Sequence, residues 1–214
     1  MKKGCILCLL ISVISLPLIA QNIIYSNLKE LLTQHGDTTA VLRVEKRSRN
    51  QIVLTGGADY RITAGDDESM CRRLKKRCFA VHDEKGNLYL NCRKLRYKKL
   101  RFGAWYAPAV QLGKNIYFCA MPLGSVIGGN FVEEDDVKLG GNIGDALAAS
   151  SLVTKRVCYE LNGETGKVDF LGKDRMLQLL KNYPELKQAY LKDDSQEAKH
   201  TFKYLLELQN KQKK

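Results

Sequence analysis

Two segments of this chain dictate their own local geometry. In CFAVH-DEKGN-LYLNC, residues 78–92, short apolar runs flank a five-residue loop that contains Gly86. In KRVCYEL-NGETG-KVDFL, residues 155–171, the same arrangement recurs around Gly163 and Gly166. Strand-like runs joined by a short glycine-containing loop form β-hairpins, and Val157, Tyr159, Leu161, Val168 and Phe170 alternate as strand residues should. Pairing His82 with Leu88 in the first hairpin places Phe79 opposite Asn91 and Cys78 opposite Cys92. Directly opposed strand residues have Cα atoms about 4.5–5.5 Å apart, within the reach of a disulfide. The register therefore predicts a Cys78–Cys92 bridge.

The remaining segments add strands and helices in mixed order. NIIYSNLKELLTQHG (22–36) carries Ile24, Leu28, Leu31 and Leu32 at helical spacing and predicts an N-terminal helix closed by Gly36. AVLRVEKR and QIVLTG read as two strands around a Ser48–Asn50 turn, GGADYRITAGDDES as a loop, and Ser69–Arg77 as a helix. NIYFCAM (115–121) is another strand. A Gly-rich acidic stretch, 123–142, leads to a central small-residue helix in which Gly140, Gly144 and Ala148 share a face. From Lys173 the chain is helical to its end, with Pro184 opening one helix and an Asp194/Glu197 capping box preceding another. The class is α+β, expected as one domain over 21–214 with a C-terminal helical segment over 173–214.

Residues 1–20 read as a signal peptide: Lys2 and Lys3 precede an apolar run from Cys5 to Leu18, and Ala20 offers a cleavage site. That run falls short of the ~20 residues that span a bilayer, and Cys5 and Cys8 lie too early for lipoprotein processing. The expectation is an exported protein, periplasmic or secreted, that is neither a lipoprotein nor a transmembrane protein. Five cysteines follow the expected cleavage point, an odd number in a compartment where disulfides persist. Without Lys2 and Lys3 the chain has 33 basic residues against 23 acidic ones, a charge of +10 that favours anionic partners.

The cations are concentrated. NCRKLRYKKLRFGAWYAP (91–108) holds Arg93, Lys94, Arg96, Lys98, Lys99 and Arg101, candidates for anion binding. Phe102, Trp105 and Tyr106 follow as candidate aromatic contacts for sugar rings. VEKRSR (44–49) and RRLKKR (72–77) are two further basic clusters. Convergence of the three on one face would favour binding; dispersal among carboxylates would favour a solvated surface.

Catalytic signals are sparse. GxSxG and HExxH are absent, and no cofactor or metal is expected. The carboxylates of GDDES (65–69) and EEDD (133–136) lack the alternating spacing of a calcium loop. An enzyme would need a cleft in which a thiol–imidazole pair, such as His82 with Cys92 or Cys119, or two carboxylates converge. The leading expectation is a non-catalytic module binding lipopolysaccharide or acidic glycan, with nucleic acid disfavoured by export. A hydrolase with a site assembled across the fold, or a structural, oligomeric partner protein, are the alternatives.

NQIVLTGGADYRI, LYLNCRKLRYKKLRFGAWYAP, IYFCAMPLGS and LGGNIGDALAASSLV together resemble a family of small secreted proteins of Bacteroidales-type bacteria defined by a domain of unknown function. The resemblance covers nearly all of the chain after residue 20. It implies a bacterial envelope protein and brings no catalytic residues with it.

Overall fold

A computed structural model describes residues 21–39, 41–48, 50–52, 57–98, 100–120, 156–193 and 198–213. The expected signal peptide, the EEDD cluster, the central small-residue helix and the Asp194/Glu197 box lie outside these residues, and Lys99 does too.

The two hairpins form as their sequences require. Strands β5 (Ala80–His82) and β6 (Leu88–Asn91) pair with His82 opposite Leu88. β11 (Val157–Leu161) and β12 (Val168–Phe170) form the second hairpin. Between them β9 (Tyr106–Leu112) and β10 (Asn115–Ala120) turn at Gly113, whose φ of 58° suits glycine. Together with β1 (Asn22–Tyr25) and β2 (Asp37–Thr39) these strands run in the order β12-β11-β10-β9-β6-β5-β1-β2. β3 (Arg43–Lys46) and β4 (Tyr60–Thr63) join through β9, completing a ten-stranded antiparallel sheet. A separate hairpin, β7 (Arg96–Tyr97) and β8 (Leu100–Arg101), lies off the sheet. The protein is α+β and dominated by its sheet.

Alternation along the strands divides the core. Tyr25, Ala80, Leu90, Ala107, Phe118 and Tyr159 bury one face. That face also takes Tyr97 and Phe102 from the basic stretch and Leu31 from helix α1 (Leu28–Leu32). On the opposite face, Ile62, Val81, Tyr89 and Tyr106 meet Leu74 of helix α2 (Glu68–Lys76). Further along, Val110, Leu112 and Tyr117 meet the C-terminal helices α3 (Lys173–Leu179), α4 (Pro184–Lys192) and α5 (Ala198–Gln212).

Several expectations are corrected. The N-terminal segment is a strand before it is a helix. Asn27 accepts from the Glu30 amide at 2.9 Å, and Glu30 reaches back to the Ser26 amide at 2.7 Å. This capping box requires an extended chain ahead of it and starts the helix only at Leu28. The proposed strand QIVLTG begins helically at Asn50–Ile52, because Ser48 and Gln51 cap each other's amides at 3.2 and 2.9 Å; its residues 53–56 lie outside those described. GGADYRITAGDDES contains β4, whose Tyr60 and Ile62 alternate with Arg61 and pair with β3.

The Cys78–Cys92 bridge is also overturned: both are free buried thiols, and the disulfide joins Cys119 to Cys158. The hairpin register holds from His82–Leu88 to Ala80–Leu90, and the Asn91 amide still donates to the Phe79 carbonyl at 2.8 Å, but both chains leave the ladder at the cysteines. Cys78 closes the end of α2, donating its amide to Arg73 at 2.9 Å, while Cys92 opens a 3-10 turn over Cys92–Lys94. They enter cores on opposite faces. Cys119 and Cys158, by contrast, are directly opposed in β10 and β11, with Cα atoms 4.0 Å apart.

A half-buried ion pair fastens α3 to the sheet. Glu160, 8% exposed, accepts two hydrogen bonds from Arg175 at 2.8 Å, one from Tyr117 at 3.0 Å and one from Asn115 at 2.5 Å. Burial pushes this carboxyl up, but the donors, Arg175 foremost, outweigh it and hold the group below its usual value. A lowered folded-state pKa gives stability that is present above the unfolded value of about 4.5 and is lost as pH falls through the folded one. Because Arg175 is partly exposed, Arg175→Ala is expected to cost about 1–2 kcal/mol at neutral pH. Urea unfolding should show the gap between parent and variant narrowing as the carboxyl protonates in acid.

Candidate functional site

The hairpin that misplaced the disulfide assembles the site. β5 and β6 are paired neighbours, so the residues entering β5 and those leaving β6 must lie side by side. The first group is the end of α2, where Lys76 and Arg77 sit favourably at a helix C-terminus. The second is the 3-10 turn with Arg93 and Lys94. All four cations line one shallow recess whose floor includes Cys78 and Asn91.

Asn91 holds the two halves together. Its amide donates to the Cys78 carbonyl at 2.9 Å and to the Leu74 carbonyl at 3.2 Å, while its oxygen accepts from the Arg93 amide at 3.1 Å. The Tyr106 hydroxyl also donates to Leu74, at 2.8 Å. The end of α2 is thereby fixed against the sheet. Lys76, Arg77, Arg93 and Lys94 are exposed, and none takes part in an ion pair among the described residues.

The basic stretch does not act as a unit. Arg93 and Lys94 reach the recess, whereas Arg96 and Arg101 lie directly opposite each other across the β7–β8 hairpin. Opposed like charges in a strand pair are destabilising, and no carboxylate among the described residues offsets them. Lys98 occupies the hairpin turn at φ 51°, its Nζ 5.5 Å from the centroid of the Tyr97 ring.

The aromatic candidates separate as well. Phe102 and Tyr106 are buried, at 0% and 1% exposure, and serve the core rather than a ligand. Trp105 alone is half-buried. Around it stand Arg47, Arg61 and Lys75, at 5.4, 5.6 and 5.9 Å from the ring centroid. Arg47 belongs to the first basic cluster and Lys75 to the second, so α2 carries cations both to Trp105 and to the recess. Arg61 carries no signal in sequence, because GGADYRITAGDDES reads as a loop.

The catalytic alternatives gain no geometry. The His82 ring shares a hydrogen bond of 3.1 Å with the Tyr25 hydroxyl, and no hydrogen bond joins a cysteine to a histidine among the described residues. Cys119 is in the disulfide. Burial pushes the Cys78 thiol up to about 11 and the Cys92 thiol to about 12, so both stay protonated at neutral pH. Asp67 of the GDDES cluster caps α2 by accepting from the Met70 amide at 2.9 Å. Asp59, raised by burial, is paired with Arg156, and its other close charges are Lys46 and Arg47. Among the described residues no three His, Cys, Asp or Glu side chains gather as a metal site. No described helix is long and apolar enough to cross a membrane.

No curated protein and no solved structure matches this chain significantly. One family model does, over residues 23–212, which takes in every described strand and helix but the first residue of β1. The chain belongs to that family, a family of unknown function (DUF6563).

Proposed function

We propose that this chain is an exported, non-catalytic protein of a bacterial envelope that binds an anionic partner, lipopolysaccharide or acidic glycan, through its basic surface. The observation carrying this reading is the recess where Lys76 and Arg77 meet Arg93 and Lys94 without a carboxylate among the described residues. Like charges held together without counter-charges raise the local potential and favour an anion. The opposed Arg96 and Arg101 point the same way. Export is supported by the charged and apolar pattern of residues 1–20 and by a disulfide of the kind oxidising compartments preserve.

Binding to purified lipopolysaccharide and to an acidic glycan, measured at low and at high salt, tests the reading. Affinity is expected to fall steeply with salt. Exposed charge pairs contribute about 0.5–1 kcal/mol each, so replacing Lys76, Arg77, Arg93 and Lys94 by alanine should weaken binding about 30-fold or more. Absence of binding at low salt to every anionic polymer tried would remove the proposal.

A further inference from the structure

The recess does not account for Trp105. Its φ of 82° lies in the left-handed region, which bulky residues rarely occupy. Neighbouring hydrogen bonds hold it there: the Ala104 carbonyl accepts from the Ala58 amide and the Trp105 carbonyl from the Cys92 amide, both at 3.0 Å. Gly57, at φ 85°, makes the close approach possible, since a Cβ there would overlap the Ala104 carbonyl oxygen and meet the indole at 3.2 Å. Two other segments, at Gly57–Ala58 and at Cys92, thus fix one side chain in a costly conformation. Strain of this kind collects at ligand clamps.

That strain does not go toward burying the indole, which stays half-buried at the edge of the core. Instead it brings the ring among three cations from three segments. Their distances of 5.4–5.9 Å from the centroid fall within cation–π range but beyond stacking contact. Arg61 and Lys75 are exposed and have no ion pair among the described residues. Cations standing over one half-buried ring offer a ligand two kinds of contact, the apolar ring itself and donors for negative charge.

We infer that Trp105, Arg61 and Lys75 form a subsite for a carboxylated sugar ring, so that the anionic partner is a uronic-acid-type polysaccharide. This rests on the polyanion-binding reading above and narrows it. The indole would stack on the C–H face of a pyranose, which is apolar, while the cations take the carboxylate. A phosphate-rich lipid headgroup uses the cations but has no need of the platform. Single-stranded nucleic acid is bound by successive aromatic platforms along a groove. Here Phe102 and Tyr106, the other aromatic residues of the stretch, are buried.

The chain supplies its own reporter, because Trp105 is its single tryptophan. Its fluorescence should be followed while the protein is titrated in parallel with oligogalacturonate, inorganic polyphosphate and oligo-dT. Binding of oligogalacturonate is expected to shift the emission, and binding of polyphosphate to leave it unmoved. Loss of one stacked ring corresponds to about tenfold in affinity, so Trp105→Gly, which suits the positive φ, should weaken oligogalacturonate about tenfold and leave polyphosphate unchanged. Arg61→Ala with Lys75→Ala, both at exposed positions, should also weaken oligogalacturonate.

Equal binding of oligogalacturonate and polyphosphate, with no change in emission and no effect of Trp105→Gly, overturns the subsite while leaving the polyanion reading intact. An emission shift and Trp105 dependence greater with oligo-dT than with oligogalacturonate overturns it in favour of a base platform. Failure of all three to bind at low salt overturns both.

Discussion

Replacing Phe102 with alanine is expected to destabilise the protein by about 3–5 kcal/mol. Phe102 sits among the cations of the basic stretch in sequence, but its side chain is fully buried. Its ring lies 4.7 Å from that of Tyr159 at 72°, and 5.4 Å from that of Phe118 at 81°. Edge-to-face pairs contribute beyond their buried area, and deleting the ring leaves a cavity that the sheet cannot close without moving strands. For a chain of this size each kcal/mol shifts the melting temperature by about 2–4 °C, so a fall of about 10 °C is expected. Phe102→Leu, which fills most of the space, should lose much less. Binding to anionic polymers by the folded fraction should be unchanged. A variant that kept its melting temperature and lost binding would return Phe102 to the ligand-contact role its position in sequence suggested.

Reduction of the Cys119–Cys158 bond is expected to cost about 2–4 kcal/mol. The bond closes a loop with a sequence separation of 39, for which chain entropy alone predicts about 4 kcal/mol. Both sulfurs are buried beneath the start of α5, 3.6 and 3.4 Å from the Ala198 carbonyl. The double replacement by alanine should therefore lower the melting temperature by about as much as reductant does in the parent, and reductant should then have no further effect. Replacing Cys78 or Cys92 by alanine removes a buried thiol but should leave the response to reductant intact. Thiol counting in denaturant checks the pairing directly, since Cys71, Cys78 and Cys92 should react without reductant and Cys119 and Cys158 only with it. A melting temperature indifferent to reductant would contradict the pairing.

Charge is legible in the sequence, but the grouping of cations along the chain is not their grouping in space. RRLKKR and CRK flank one hairpin, and the register that set Cys78 opposite Cys92 already placed Arg77 beside Arg93. That consequence concerns cations and was legible, whereas the disulfide drawn from the same register failed. A ladder holds Cα positions only while both chains remain extended, and here a helix end and a 3-10 turn interrupt it. The Trp105 cluster had no comparable trace. Its cations come from positions 47, 61 and 75, brought together by β4, β9 and α2.

What the sequence by itself determined is local: the two hairpins with their turns and register, the helices near Ser69–Arg77 and after Lys173, and the α+β class. These follow from interactions among residues a few positions apart, where alternation, glycine and capping side chains act directly on the backbone. Which core each strand face enters, which cysteines meet, and which cations share a surface were decided only by the tertiary structure. Cys119 opposes Cys158 and Arg61 reaches Trp105 because a ten-stranded sheet sets distant strands side by side. Sheet order depends on burial summed over many strands, and no short stretch of residues encodes that sum.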